Sequence, residues 1–208
     1  MESANQIDGK SELLRKLIHL SSAAFPVFYL FTSRNLNIVI LSVALTILVA
    51  IDVLRYYSKN FRNFYFRMLR HILRTFEQND HQVIFTGATY LMFSFLMMVV
   101  IFPKPIAISS LFVLVFCDSI AALIGRNFGQ SKIGSKTIEG SIAFFFTGII
   151  VILLAPKLTA QFMEYFSAVS ALLITTIVEL LPLKLDDNIT IPFTFAIIYY
   201  LTFKIFTG

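Results

Sequence analysis

Seven apolar runs divide the chain: Leu17–Phe31, Leu36–Leu54, Ile84–Phe102, Ile106–Ile124, Ser141–Ala155, Phe166–Leu181 and Ile189–Phe206. The segments between them hold too little polar material for a fold in water. A soluble domain must cover its apolar side chains with polar surface. Here 57% of the 208 residues are hydrophobic and only 14% are charged, with a mean hydropathy of +0.80. Lipid is the solvent that fits. A spanning helix takes about 20 residues, so the shorter runs must borrow turns from their flanks. The expected fold class is therefore all-α, a polytopic transmembrane helix bundle of about seven spans. It is expected to form a single integral membrane domain over residues 1–208, without a soluble second domain. The opening MESANQIDGKSELLRK lacks the basic-then-apolar order of a cleaved signal peptide and is expected to be retained. The single cysteine, Cys117, allows no disulfide within the chain.

The positive charges report orientation. With the N-terminus in the cytosol, Lys10, Arg15, Lys16, Arg55, Lys59, Arg62, Arg67, Arg70, Arg74, Arg126, Lys132, Lys136 and Lys184 fall on the cytosolic side. Only Arg34, Lys104, Lys157 and Lys204 fall on the other. Cytosolic loops carry the excess of Lys and Arg in membrane proteins, so the N-terminus is expected inside and the C-terminus outside. The net charge of +5 is read as topology signal and anionic-lipid contact. Nucleic acid is not an expected partner, because the basic residues are interleaved with apolar runs rather than gathered on a soluble face.

Residues 55–82 read as an interfacial amphipathic helix and loop. Tyr57, Phe61, Phe64, Tyr65, Met68, Leu69 and Ile72 recur at helical spacing, and Arg55, Lys59, Arg62, Arg70 and Arg74 interrupt them. Such a helix lies along the headgroups, apolar face down. It serves as a surface connector, or as a gate for lateral passage of a lipid.

Charged side chains within or beside spans are costly and mark function. Asp52, Asp118, Glu139, Glu179, Asp186 and Asp187 all map to the cytosolic end, whereas Glu164 maps to the far end. Acid-rich and base-rich loops on one face suggest Mg²⁺ together with a phosphorylated ligand. Residues 125–140 form a loop rich in Gly and Lys, read either as a phosphate-holding loop or as a flexible basic connector. Gly125, Gly129, Gly134 and Gly140 would let the backbone approach an anion. Arg126, Lys132 and Lys136 would supply counter-charge, and a helix starting near Thr137–Glu139 would add its N-terminal dipole. The pattern GxxxxGK[ST] is absent, so this is not a Walker A loop. A second cluster is ELLPLKLDDNITIP. Pro182 and Pro192 are expected to interrupt the helices on either side, leaving Asp186, Asp187 and Asn188 to face a hard cation or a ribose, or to form a plain turn. Third, Glu12, Arg15 and His19 share a helix face, so His19 is either a satisfied structural histidine or a contact to a substrate headgroup. Asp52 and Arg55 read as an interfacial ion pair.

The run DSIAALIGRNFGQSKIGSKTIEG resembles the signature of membrane CTP-using enzymes: the dolichol kinase, phytol kinase and CTP-dependent diacylglycerol kinase group, and more distantly the phosphatidate cytidylyltransferases. ELLRKLIHL near the start and ELLPLKLDDNITIPF near the end resemble the kinase branch. The resemblance implies CTP as phosphoryl donor and a membrane lipid alcohol as acceptor, in the bacterial inner membrane or the endoplasmic reticulum. By match of motif, Asp118 and Asp187 would be the catalytic or metal carboxylates, with Asp186 beside them. Residues 125–140 would be the nucleotide-binding loop, in which Lys132 and Lys136 would hold phosphates. Arg15, Lys16, His19, Asp52, Glu179 and Asn188 complete the candidates. The alternative is CDP-lipid synthesis of the phosphatidate cytidylyltransferase kind, although the basic-acidic segment ending in Lys-Asp that such enzymes carry near the C-terminus is absent here. A small ion-binding transporter is a third reading, but one Pro-bracketed break without a matching partner does not fit paired transporter halves.

Overall fold

The computed structural model describes residues 15–69, 85–183 and 185–207. Residues 15–21 (α1) are helical and are followed by α2 (Ala24–Phe31), α3 (Arg34–Tyr57), α4 (Lys59–Leu69), α5 (Gly87–Ile101) and α6 (Lys104–Phe112). A π-helical turn, Val113–Cys117, joins α6 to α7 (Asp118–Phe128). After α7 come strands β1 (Lys132–Ile133) and β2 (Lys136–Thr137), then α8 (Ile138–Leu154), α9 (Phe162–Leu180) and α10 (Asp187–Thr207). The all-α expectation holds apart from the short antiparallel hairpin, in which Ile133 faces Lys136 across a two-residue turn.

Four stretches are long and apolar enough to span a membrane: α3, the continuous rod from α6 to α7, α9 and α10. The helices α5 and α8, of 15 and 17 residues, are shorter. The first apolar run is broken at Ser22–Ala23. Pro26 has no N–H to donate to the Ser22 carbonyl, which instead accepts from the Phe25 amide, and the Ser22 hydroxyl turns back onto the His19 carbonyl at 2.5 Å. The helical pattern over 55–82 is also divided. Arg55 and Tyr57 belong to α3, which ends at Ser58, and α4 carries Lys59, Arg62 and Arg67. Residues 70–82 of that expectation, with Arg70, Ile72 and Arg74, lie outside the described residues.

The rod α6–π–α7 is the core, with 72% of its apolar window buried. Helix α3 is peripheral, with 17% buried, and turns Val39, Val43 and Ile47 outward, as a lipid-facing helix would. α9 and α10 pack along each other, and α7 against α8. The apolar centre includes Phe95, Met98, Leu114, Phe144, Leu172 and Phe195.

Polar contacts fall at the two ends. At one end Arg34 reaches the Val99 and Val100 carbonyls, while Lys104 reaches those of Leu30 and Thr32. At that same end Glu164, fully buried, accepts the Leu158, Thr159 and Ala160 amides and the Tyr199 hydroxyl. The opposite end gathers residues from α1, α7, β2, α9 and α10. Arg34, Lys104 and Lys157 lie away from the acid-rich end.

Pro192 does not interrupt α10 as expected from sequence: it sits inside the helix and is buried. It falls in the second turn, where only the bond to the Asn188 carbonyl is lost, and packing against α9 and α5 holds the helix together. Pro182, just beyond α9, does follow a helix end.

Candidate active site

Asp118 opens α7 directly after the π-turn and is 8% exposed. A π-turn inside an α-helix often marks a functional position. Lys16 Nζ meets Asp118 Oδ2 at 2.6 Å and approaches its backbone carbonyl at 3.5 Å. His19, one turn further along α1, brings Nε2 to 3.6 Å from the same Oδ2. Nε2 itself is buried without a hydrogen-bond partner.

The second centre is Lys136 on β2. Its ammonium lies 2.7 Å from Glu179 Oε1 on α9 and 2.7 Å from Asp187 Oδ2 at the start of α10. Burial opposes its charge, but Asp187, Glu179 and Asp118 outweigh burial and raise its pKa above the ordinary lysine value. Asp118 thus acts on Lys136 through its charge, which couples the two centres. Glu179 is held from its other oxygen by the Ser141 hydroxyl at 2.9 Å. Sequence reasoning did not single out Ser141; its position one residue past Gly140 on the first turn of α8 was the available signal.

Lys136 is aimed by its hairpin. The turn residue Gly134 has φ 62°, a conformation that glycine adopts freely and that two-residue hairpins require. A Cβ there would also come within 3.1 Å of Pro182. Gly125, Gly129 and Gly140 also allow close backbone approach. A Cβ on Gly125 would fall 2.6 Å from Thr137 Oγ1, one on Gly129 2.1 Å from the Gly125 carbonyl, and one on Gly140 2.8 Å from the Ala121 carbonyl. They let α7 and α8 close around Thr137, which caps α8 by accepting the Gly140 amide at 3.1 Å. Glu139 ties the loop down by accepting the Ser131 amide at 3.1 Å. Lys132 and Arg126 are exposed at the rim.

The remaining candidates separate. Asp186 caps α10: its side chain accepts the Asn188 amide at 2.9 Å, and its carbonyl accepts those of Ile189 and Thr190. Asn188 bridges to the Gly87 carbonyl at the start of α5, 3.2 Å away. Asp52, 1% exposed, accepts the Thr86 amide and the Thr86 and Thr89 hydroxyls, with Arg55 at 3.6 Å. It fastens α5 to α3. Glu12 lies outside the described residues, and Arg15 is half-buried on α1.

No group of three or more His, Cys, Asp or Glu side chains converges on a metal position among the described residues. The donor set still fits Mg²⁺ arriving with a nucleotide, because Mg²⁺ takes one or two carboxylates and completes its shell with phosphates and water. Asp118, Glu179 and Asp187 outnumber the ammonium groups of Lys16 and Lys136 bound to them.

No family model matches the chain, and no solved structure matches it. An uncharacterized protein of Rickettsia prowazekii is 29% identical over 188 residues, covering 89% of this chain and 92% of that protein. The CTP-dependent diacylglycerol kinase 1 of Saccharomyces cerevisiae is 34% identical over 147 residues, 68% of this chain and 49% of the yeast protein. Phytol kinase 1 of Arabidopsis thaliana, a chloroplastic protein, is 30% identical over 120 residues, 48% of this chain and 37% of the plant protein. The chain spans about half the length of the yeast kinase it matches. The resemblance first read from DSIAALIGRNFGQSKIGSKTIEG and its flanking pieces therefore holds, and the chain is related to the membrane lipid kinases that include the CTP-dependent diacylglycerol kinases and the phytol kinases.

Proposed function

We propose that this protein transfers the γ-phosphate of CTP to the hydroxyl of a membrane lipid alcohol, a diacylglycerol or an isoprenoid alcohol of the phytol or polyprenol kind, giving a lipid phosphate and CDP. The observation that carries the reading is the Lys136 ammonium clasped by Glu179 and Asp187 at 2.7 Å, beside the Lys16–Asp118 pair. Phosphoryl transfer asks the protein mainly for positioning and for cations around the transferring group. A greasy alcohol is presented at the membrane surface and a nucleotide arrives from water, so the reaction belongs at a polar helix-bundle end of this kind.

In this reading Lys136, with Lys132 and Arg126 at the rim, holds the phosphates. One of the carboxylates Asp118 and Asp187 orients or deprotonates the attacking hydroxyl, whose oxygen bonds to the γ-phosphorus as the bond to CDP breaks. The other carboxylate, with the triphosphate, would hold Mg²⁺, which supplies further charge neutralisation. The acid-rich end faces the cytosol, by the balance of Lys and Arg across the seven apolar runs. The short helices α5 and α8 and the split α1–α2 pair then cross with their flanks.

Purified protein in mixed micelles, given CTP labelled at the α- or γ-phosphate with dioleoylglycerol, phytol or a short polyprenol, tests this. Label should reach lipid from the γ position. Transfer from the α position would make the chain a CDP-lipid synthase, and no transfer from either would reject the kinase reading.

A further inference from the structure

We infer that α4 docks on an anionic phospholipid surface, with Lys59 and Arg67 on the headgroups and Phe64 and Met68 among the acyl chains. Helix α4, KNFRNFYFRML, carries Lys59, Arg62 and Arg67 and no acid. At 3.6 residues per turn, Lys59, Asn63 and Arg67 share about 80° of its circumference. All three are exposed. The neighbouring strip holds Phe64, 62% exposed, and Met68, 70% exposed. Beyond it Phe61 and Tyr65 are half-buried and stack on one another. Tyr65 also lies under the buried Arg55 guanidinium of α3, at 5.6 Å. The helix therefore has a side fixed to the protein, an uncovered apolar strip and an uncovered basic edge, in that order.

Level and charge identify the occupant. In an unbroken helix, Arg55 and Tyr65 would stand about 15 Å apart along the axis. Their contact means that the chain folds back at the extended Ser58 and lays α4 against the end of α3. That is the end where Asp52 meets Thr86 and Asn188 meets Gly87, the acid-rich end of the bundle. Along its length α3 turns Val39, Val43 and Ile47 outward, and it closes on the exposed Tyr56 and Tyr57. Tyrosines at the ends of lipid-facing helices sit at headgroup level, so α4, starting at Lys59, begins at that level. There an apolar strip can enter the acyl boundary while long basic stems reach back to the headgroups. Water alone would satisfy the basic edge and leave Phe64 and Met68 uncovered. An anionic lipid surface satisfies both.

Two measurements decide it, and neither uses nucleotide or acceptor, so both stand whether or not phosphate is transferred. The full chain is placed in nanodiscs of phosphatidylcholine alone or of equal parts phosphatidylcholine and phosphatidylglycerol. Amide hydrogen exchange over residues 59–69 proceeds through the undocked helix and so reads the docked fraction. A basic side chain near an anionic surface contributes about fivefold, so Lys59 and Arg67 together should slow exchange about 30-fold in the anionic discs. In Lys59→Gln/Arg67→Gln the two lipids should differ by at most about fivefold, what Arg62 alone can supply. Equal exchange of the wild type in the two lipids overturns the inference, as does a slowing that survives the double substitution in full. The second measurement places a bimane on Met68→Cys, which takes the label alone because Cys117 is fully buried. Brominated acyl chains in the anionic discs should quench it, and aqueous iodide should not. Quenching by iodide alone would make α4 a solvated connector. Quenching by neither would put a protein surface, such as a second copy of this chain, over the strip. Either result overturns the inference.

Discussion

Replacing Lys136 by methionine keeps the stem and removes the ammonium. In the wild type that one group serves Glu179 and Asp187, each at 2.7 Å. The two losses differ, since the Glu179 side chain is 3% exposed and that of Asp187 is 35%. Removing the partner of a buried carboxylate costs about 3–5 kcal/mol. The Ser141 hydroxyl still bonds Glu179, which puts this loss at the lower end. Asp187 is solvated enough to lose about 1 kcal/mol or less. Lys136→Met should therefore destabilise the protein by about 3–4 kcal/mol, a fall in Tm on the order of 10 °C for a chain of this size. Adding Glu179→Gln removes the stranded charge and should recover about 2–3 kcal/mol. It should not recover phosphate transfer, which stays at least about 100-fold below wild type if the ammonium stabilises the transferring group. Thermal melts in detergent and transfer from γ-labelled CTP read the two effects separately. Because its carboxylate neighbours raise the Lys136 pKa, its contribution is complete below the unfolded value of about 10.4 and is lost only as pH rises through the higher folded value. The stability deficit of Lys136→Met should thus not shrink as pH rises from about 8 to 9. Recovery of transfer together with stability in the double variant would reduce Lys136 to a structural counter-ion and refute the reasoning.

Asp118→Asn should abolish turnover while the protein stays inserted and folded, and a variant with wild-type activity would remove Asp118 from the site. Gly129→Ala puts a Cβ 2.1 Å from the Gly125 carbonyl and 2.5 Å from Thr137 Cγ2; forcing α7 and α8 apart should cost about 1–3 kcal/mol, read as a lower Tm. Glu164→Gln sets an NH₂ among groups that all donate to the carboxylate, namely the Leu158, Thr159 and Ala160 amides and the Tyr199 hydroxyl. It should cost about 1–3 kcal/mol and speed proteolysis across residues 155–161. The KM for CTP should stay unchanged, since Glu164 stands at the opposite end of the bundle.

Spacing along one helix was legible in the sequence. Asp52 pairs with Arg55 across one turn, while Lys16, outside the expected Glu12–Arg15–His19 set, is the residue that meets one carboxylate beside His19. The ends were legible too, because alternation of the apolar runs fixes which loops meet, and Lys136 does reach Asp187. What no local rule gives is how far each helix is rotated about its own axis, or which distant residue fills a gap. Thr86 and Thr89 complete the Asp52 network from more than thirty residues away. The glycines of 125–140 fit an approaching phosphate or an approaching helix, and only the position of Thr137 reveals the close helix approach at Gly125, Gly129 and Gly140. The π-turn is the sharpest case. VLVFC is an ordinary apolar run in the sequence, but winding Val113–Cys117 as a π-turn admits one more residue than an α-turn and rotates everything after it by about 100°. Asp118 is the first residue after that turn, so the rotation decides whether its carboxylate faces Lys16 and His19 or the lipid. A charge facing lipid would cost several kcal/mol. The local distortion is thus what makes an acid tolerable at that depth.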